Sequence, residues 1–317
     1  MSEPHLHAVV PIYNNQATLR ATIDSLLAEP LVQRIHAVDD GSTDGCGEAL
    51  AELSERINLV RQENAGPSAA RNRGLDLALA EAQVTHVLLL DADDVLEPQA
   101  LGPALENLAR QVEAVAAVSG RYEVARDSEG AEQGEPILRA PPADWADKPL
   151  PSRGLVFSPI RFFGASGLLI ARRALETGLR FDSALTIGED RDFLYRLAGA
   201  GALLVLAQPL LRVTIHAGGA NLTGPAHLER WLRDHRTLVQ RYGDDPDAAE
   251  PLRETSRWLL GHACRSLARQ GAALPVPVWR EYRQLFRERG WGMPRKALKW
   301  RYLLGPFLRL LRPFRGS

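Results

Sequence analysis

The sequence predicts an α/β fold with a mostly parallel central sheet flanked by helices, followed by a helical C-terminal extension. Three observations predict it. Apolar runs of strand length alternate with helix-period segments from Leu6 to about Val124, the pattern of right-handed βαβ units and a parallel sheet. Within it, Val87-Leu88-Leu89-Leu90 is apolar without alternation, as a strand buried on both faces requires. Past His216-Ala217-Gly218-Gly219 the periodicity becomes helical and stays so from Pro225 onward.

In chain order, Leu6 to Tyr13 reads as the first strand, ended by the turn formers Asn14-Asn15. Leu19, Ile23, Leu26 and Leu27 keep helical spacing and mark one buried face. Arg34 to Val38 is a second strand, closed by Asp39-Asp40-Gly41-Ser42-Thr43-Asp44, and a helix of Ala and Leu to about Arg56 leads to a third strand, Ile57 to Val60. Asn64-Ala65-Gly66-Pro67-Ser68 is a turn with Ser68 as helix cap, and the next helix carries Arg71 and Arg73 in its first turns. The fourth strand ends in Asp91. A helix from Ala100 to about Arg110 and a strand from Ala114 to Val124 follow. Gly, Pro, Asp and Glu dominate from Ala125 to Ser152, which predicts a long mobile loop or an insertion. Leu168-Leu169-Ile170, Leu203 to Leu206 and Leu210 to Ile215 are later strands, and Gly188-Glu189-Asp190 opens a helix running through Leu197.

Composition narrows the class. The chain has 317 residues, 45% of them hydrophobic, and a formal charge of -1, enough for a large α/β domain plus an accessory region and too balanced for general nucleic-acid binding. Two cysteines, Cys46 and Cys264, support neither a disulfide framework nor a thiolate metal site and suit a reducing cytosol. The N-terminus lacks the basic and apolar regions of a signal peptide, and no apolar run approaches the roughly 18 residues that would span a bilayer. No glycine-rich dinucleotide turn follows the first strand, and no P-loop follows any strand.

What remains is acidic groups at two successive strand ends, Asp39/Asp40 and Asp91/Asp93, with an arginine-bearing helix between them. On an extended backbone Asp91 and Asp93 project to the same side, where a hard divalent ion such as Mg²⁺ or Mn²⁺ would offset their repulsion and bridge to phosphates. A carboxylate can also accept from a base N–H or a ribose hydroxyl, so nucleotide-diphosphate binding follows. Blander readings exist for each group. Asp93 or Asp94 could cap a helix starting near Glu97-Pro98, Asp39/Asp40 could bond their own turn, Arg71 could be a solvated helix charge, and Glu189 and Asp190 could serve only the helix dipole.

Five motifs occur in order: Pro11-Ile12-Tyr13-Asn14, Val38-Asp39-Asp40-Gly41-Ser42-Thr43-Asp44, Asn64-Ala65-Gly66-Pro67-Ser68-Ala69-Ala70-Arg71-Asn72, Asp91-Ala92-Asp93-Asp94 and Gly188-Glu189-Asp190. Together they resemble glycosyltransferase family 2, the inverting sugar transferases of the GT-A fold, over roughly residues 6 to 216. The resemblance implies a nucleotide-diphosphate-sugar donor with a preference for uridine, a divalent Mn²⁺ or Mg²⁺, and one direct displacement at the anomeric carbon. By position it puts Pro11, Tyr13, Asp40 and Arg71 around the nucleobase, Asp91 with Ala92 at the ribose, and Asp93 on the metal. It makes Asp190 the base that deprotonates the acceptor hydroxyl, with Glu189 orienting it. His216 is a candidate for contacting the metal or diphosphate, although a lone His beside a glycine turn is as readily structural.

The resemblance divides the chain into a GT-A domain over 1–222, with a donor half to about 118 and an acceptor half from about 119, and a helical region over 223–317. The family's polymerising members carry a Gln-x-x-Arg-Trp motif and membrane helices, and neither is found here, so a single-addition enzyme is expected. A nucleotidyltransferase would need glycines and basic residues where Asn14-Asn15-Gln16 stand, and a non-catalytic binder would not need the acids at Asp93 and Asp190. Both alternatives stay open at this point. From Trp291 the chain holds Arg295, Lys296, Lys299, Arg301, Arg309, Arg312 and Arg315 with no acidic residue, interleaved with aromatic and aliphatic side chains. That mixture suits the headgroup boundary of an anionic membrane, on the cytosolic face beside a glycan or lipid-linked acceptor. A helix packed on the protein is the alternative.

Overall fold

The structure, a computed structural model, describes residues 4–47, 50, 54–126, 132–159, 163–216, 228–269 and 276–292. The chain divides into two compact units, one of residues 1–156 and 160–218 and one of 157–159 and 219–317.

The first unit is built on one sheet. Its elements are β1 (Leu6–Ile12), α1 (Leu19–Leu27), β2 (Val32–Asp39), β3 (Ile57–Arg61), α2 (Pro67–Leu79), β4 (His86–Leu89), β5 (Asp94–Leu96), α3 (Leu101–Arg110), β6 (Ala114–Arg126), β7 (Glu132–Arg139), β8 (Lys148–Pro149), β9 (Leu169–Ala171), α4 (Arg172–Leu175), α5 (Glu189–Ala200) and β10 (Ala202–His216). Strand order is β3-β2-β1-β4-β9-β6-β10-β5, with β7 on β6 and β8 on β10. β3, β2, β1 and β4 run parallel, as do β6 and β10. Short β9 joins the two blocks antiparallel to β4 and β6, and β5 closes the edge antiparallel to β10.

The pattern in β1 explains the layers. Leu6, Ala8, Val10 and Ile12 share one face and pack with Leu19, Ile23 and Leu26 of α1 and Leu101, Ala104, Leu105 and Leu108 of α3, as a period of two demands. The opposite face receives α2. Gly74 permits the approach, since a Cβ there would lie 2.2 Å from Val9 Cγ1. On that same face His7 and His36 are buried side by side, His7 Nδ1 3.0 Å from His36 Nε2. Asn58 Nδ2 lies 3.2 Å from His36 Nδ1, and His7 Nε2 faces Glu81, just beyond α2, at 3.9 Å.

Several expectations are corrected. Between 125 and 152 the described residues form strands where a mobile loop is expected: β6 continues to Arg126, β7 pairs antiparallel with it, and β8 pairs with β10; residues 127–131 lie outside the described residues. Ladder hydrogen bonds need no apolar content, and Glu123 binds Arg139 at 2.8 Å and Arg121 at 3.3 Å across and along these strands. Most of the helix expected between Asp44 and about Arg56 falls on residues 48–49 and 51–53, which lie outside the described residues; ahead of it residues 44–47 turn, with the Asp44 carboxylate accepting the N–H groups of Gln16 and Cys46. Ser68 is not a cap: α2 starts at Pro67 with Gly66 at its N-cap position, and Ser68 is buried inside the helix.

The second unit contains α6 (Leu228–Tyr242), α7 (Ala249–Arg269) and α8 (Val276–Glu288). His235 Nε2 meets Ser256 Oγ at 2.8 Å between α6 and α7. The Tyr282 hydroxyl of α8 donates to the Leu232 carbonyl of α6 at 2.8 Å, and complete burial pushes its pKa up. Among the described residues no helix is long and apolar enough to cross a membrane. The basic stretch beyond Gly292 lies outside the described residues.

Candidate active site

The acidic segment after β4 is not extended. The Asp94 N–H donates to the Asp91 carbonyl at 3.0 Å, so residues 91–94 form a tight turn and the same-side argument for Asp91 and Asp93 does not apply. The helix-cap reading fails as well, because Asp94 begins β5 and the next helix starts at Leu101. The turn is braced from three sides. The Thr18 hydroxyl donates to the Ala92 carbonyl at 2.9 Å, the Asp91 N–H donates to Ser166 Oγ at 3.1 Å, and the Ser166 hydroxyl donates to the Asp94 carboxylate. Ser166 precedes β9 in a Gly-Ala-Ser-Gly segment. Sequence reasoning missed it, since its only signal is a small polar residue between glycines.

Burial, then the adjacent Asp93 and Asp91 charges, push the Asp94 carboxyl well above the usual carboxylate range. Carboxylate oxygens are the donors that a hard divalent ion such as Mg²⁺ or Mn²⁺ takes, but Asp91, Asp93 and Asp94 do not converge as a three-ligand set: among the described residues only His7, His36 and Glu81 bring three potential ligand atoms within 4.8 Å of one another.

Arg71 joins this turn to the start of α5. Its guanidinium donates to Asp91 Oδ1 at 2.8 Å and to Glu189 Oε1 at 3.1 Å, and lies 5.4 Å from the Phe181 ring centroid. Arg71 is buried, which overturns the reading of it as a solvated helix charge. Burial disfavours its charge, but Asp91 and Glu189 together raise its pKa. Glu189 is buried too. Burial and the Asp190 charge raise its pKa to about 7, against the downward pull of Arg71.

Gly188 precedes α5 with φ +97°, a left-handed conformation that glycine adopts without strain. It turns the chain so that Glu189 and Asp190 fall in the first helical turn. Asp190 is half-buried. Its Oδ1 accepts the Arg191 N–H at 2.7 Å, and a side-chain carbon at Gly164 would lie 3.9 Å from its Oδ2. The segment 164–167 therefore borders both the acidic turn and Asp190. Asp192 is fully buried and pairs with Arg196 one turn on, at 2.6 Å.

Asp39 and Asp40 separate in role. Asp39 Oδ1 accepts the Ser42 N–H at 2.8 Å, as the turn reading expects. Asp40 instead reaches across to the loop before α2, where it accepts from Gln62 Nε2 at 2.8 Å and the N–H groups of Ala65 and Gly66 at 2.9 and 2.8 Å. It thereby sets the start of the helix that carries Arg71. Pro11 sits half-buried on β1, and Tyr13 just beyond it is 51% exposed. His216 ends β10; its side chain lies outside the described residues.

A mixed sheet with an acidic turn beyond a central strand, an arginine from the neighbouring helix and paired acids opening another is the architecture of a GT-A glycosyltransferase. The sequence profile of Glycosyl transferase family 2 matches residues 8–174. Succinoglycan biosynthesis protein ExoO of Rhizobium meliloti is 30% identical over 255 residues, which cover 76% of this chain and 70% of that protein. Glycosyltransferase GlyA of Streptococcus pneumoniae is 42% identical over 93 residues, 28% of this chain and 13% of GlyA, so the chain spans only a small part of that relative. In fold it is similar to S. aureus TarS 1-349 in complex with UDP-GlcNAc, with a TM-score of 0.60 at 15% identity over 98% of this chain and 93% of that one. It is also similar to the mannosyltransferase PcManGT from Pyrobaculum calidifontis in complex with GDP-Man and Mn²⁺, with a TM-score of 0.55 at 18% identity over 98% and 88%. The chain belongs to glycosyltransferase family 2 and has the GT-A fold.

Proposed function

We propose that this chain is a non-processive inverting glycosyltransferase that moves a sugar from a nucleotide-diphosphate donor, a UDP-sugar, to a hydroxyl of a glycan or lipid-linked acceptor. The observation that carries the reading is Arg71, whose guanidinium ties the acidic turn at Asp91 to Glu189 beside Asp190. It holds the candidate donor-side and acceptor-side acids in one charge-coupled group.

In this reading Pro11, Tyr13, Asp40 and Arg71 border the nucleobase pocket, and Asp91 with Ala92 meets the ribose. Asp93 holds Mn²⁺ or Mg²⁺, with His216 as a further ligand. When bound, the metal offsets negative charge that builds on the departing diphosphate. Asp190 takes the proton of the acceptor hydroxyl as its oxygen attacks the anomeric carbon from the face opposite the diphosphate. The new C–O bond forms as the old one breaks, the nucleoside diphosphate leaves with the bonding pair, and configuration inverts. Glu189, anchored by Arg71, orients Asp190 and the acceptor. A donor to the uridine side draws support from the UDP-GlcNAc complex of TarS, and a glycan acceptor from the succinoglycan biosynthesis relatives. The basic stretch 291–317 brings the enzyme to an anionic membrane that presents such an acceptor.

The test is release of nucleoside diphosphate from a panel of UDP-, GDP- and dTDP-sugars, with Mn²⁺, with Mg²⁺ and with chelator. Release from a UDP-sugar that stops in chelator and in Asp93→Ala is expected. Full turnover in chelator would remove the metal from the account, and pyrophosphate release from a nucleoside triphosphate would replace transfer by nucleotidyl chemistry.

A further inference from the structure

Charge is divided unequally between the two units. The second holds nineteen of the 38 basic residues but only nine of the 39 acidic ones, an excess of ten positive charges; the first holds the other nineteen and thirty, an excess of eleven negative ones. Any polyanionic surface therefore attracts the second unit and repels the first.

Within the second unit, α8 carries three of these basic residues on one face. Tyr282, Leu285 and Phe286 are buried on one side of the helix. Arg280, Arg283 and Arg287, spaced i, i+3 and i+7, fall on the opposite side, where all three are exposed. With Gln284 and Glu288 they line a shallow surface depression. Of the helix's own acids, Glu281 pairs with Arg236, and Glu288, which shares the depression, accepts from Gln284 Nε2. Among the described residues the three arginines have no ion-pair partner. We propose that this arginine face of α8 is a docking surface for the phosphate headgroups of an anionic lipid membrane. It is continuous in sequence with the acid-free basic stretch beginning at Trp291. The proposal rests on the membrane reading of that stretch and extends it to a folded helix. Guanidinium groups engage phosphate oxygens in pairs, and an amphipathic helix anchored by its apolar side can turn such a row outward without unfolding.

The experiment is co-sedimentation of the full chain with phosphatidylglycerol-containing vesicles against pure phosphatidylcholine at low salt, with duplex DNA as a competing polyanion. It compares wild type with R280Q/R283Q/R287Q and with K296Q/K299Q/R301Q, each checked for an unchanged far-UV circular dichroism melt. Wild type should bind the anionic vesicles selectively, and loss of three arginines should lower its partition about a hundredfold. Equal partition of R280Q/R283Q/R287Q and wild type overturns the α8 assignment. If K296Q/K299Q/R301Q alone loses binding in that case, the basic stretch keeps its role. No preference of wild type for anionic vesicles overturns both readings, and tighter binding to DNA than to vesicles overturns the lipid assignment.

Discussion

Helix α2 lies between two buried polar clusters that solve the same problem in opposite ways. Near its start, Arg71 holds Asp91 and Glu189 in a charged network linking three segments far apart in sequence. Just beyond its end, His7, His36 and Asn58 form a chain of neutral hydrogen bonds facing Glu81, which Arg34 holds at 2.7 Å. With Asn58 donating to His36 Nδ1, His36 Nε2–H donates to His7 Nδ1 and His7 Nε2–H points to Glu81. Each ring is then satisfied without a charge. A neutral relay suits the packed face of a sheet. A charged cluster there costs desolvation and is kept where charge is used.

The largest expected effect comes from breaking the charged cluster. Arg71→Met leaves Glu189 and Asp91 without their counter-charge, and removing one partner of a buried pair costs roughly 3–5 kcal/mol. Urea unfolding should show this loss at pH 8 and a smaller one at pH 5, where Glu189 takes up a proton. A loss that does not change with pH would mean that packing over Phe181, rather than charge, is what Arg71 supplies.

The two clusters should also titrate in opposite senses. Burial lowers the pKa values of His7 and His36 from 6.5 to about 4, with His36, then His5 and Arg34, opposing protonation of His7 and only Glu81 favouring it. Because the folded values lie below the unfolded one, their stabilisation is complete above pH 6.5 and is lost as pH falls towards 4. The loss is on the order of 3 kcal/mol per ring. His7→Gln/His36→Gln should flatten that acid limb. If the double variant keeps it, other groups are responsible.

Glu189 behaves in reverse. Its pKa is raised from 4.5 to about 7, so its contribution to stability is present below pH 4.5 and is lost as pH rises through 7. Glu189→Gln should therefore stabilise the fold at pH 8 by on the order of 1–3 kcal/mol and make no difference near pH 4, while transfer falls. A destabilised variant at pH 8 would show that the carboxylate is needed for folding as well.

The comparison also explains what could be read from the sequence. The parallel β1–β4 block was legible because Val87 to Leu90 and the alternating face of β1 carry their burial in the apolar pattern. The candidate site's acids were legible as short motifs, after strands at Asp39/Asp40 and Asp91/Asp93 and at a helix start at Glu189/Asp190. Their partners were not. Nothing in sequence tells that Arg71 meets Glu189, 118 residues away, or that Ser166, in the loop before β9, braces the 91–94 turn. The relay between His7 and His36 was invisible for a related reason: each histidine looks like an interruption of an apolar strand until β1 and β2 are set in register. β7 was hidden by its composition, since Glu132–Arg139 pairs through backbone groups while Ile137 and Leu138 stay about half exposed.

In the proposed function the charged cluster serves proton transfer at Asp190 while the acidic turn serves the donor. The most direct measurement is donor binding and sugar transfer in Asp190→Asn, by calorimetry with the nucleoside diphosphate and by initial rate with the matched donor and acceptor. Asparagine keeps the shape and the Arg191 contact but cannot accept the proton. Affinity should therefore stay within about twofold while the transfer rate falls by a factor on the order of a hundred or more. Equal losses in binding and in rate, or a rate near wild type, would contradict the assignment of Asp190 as the base.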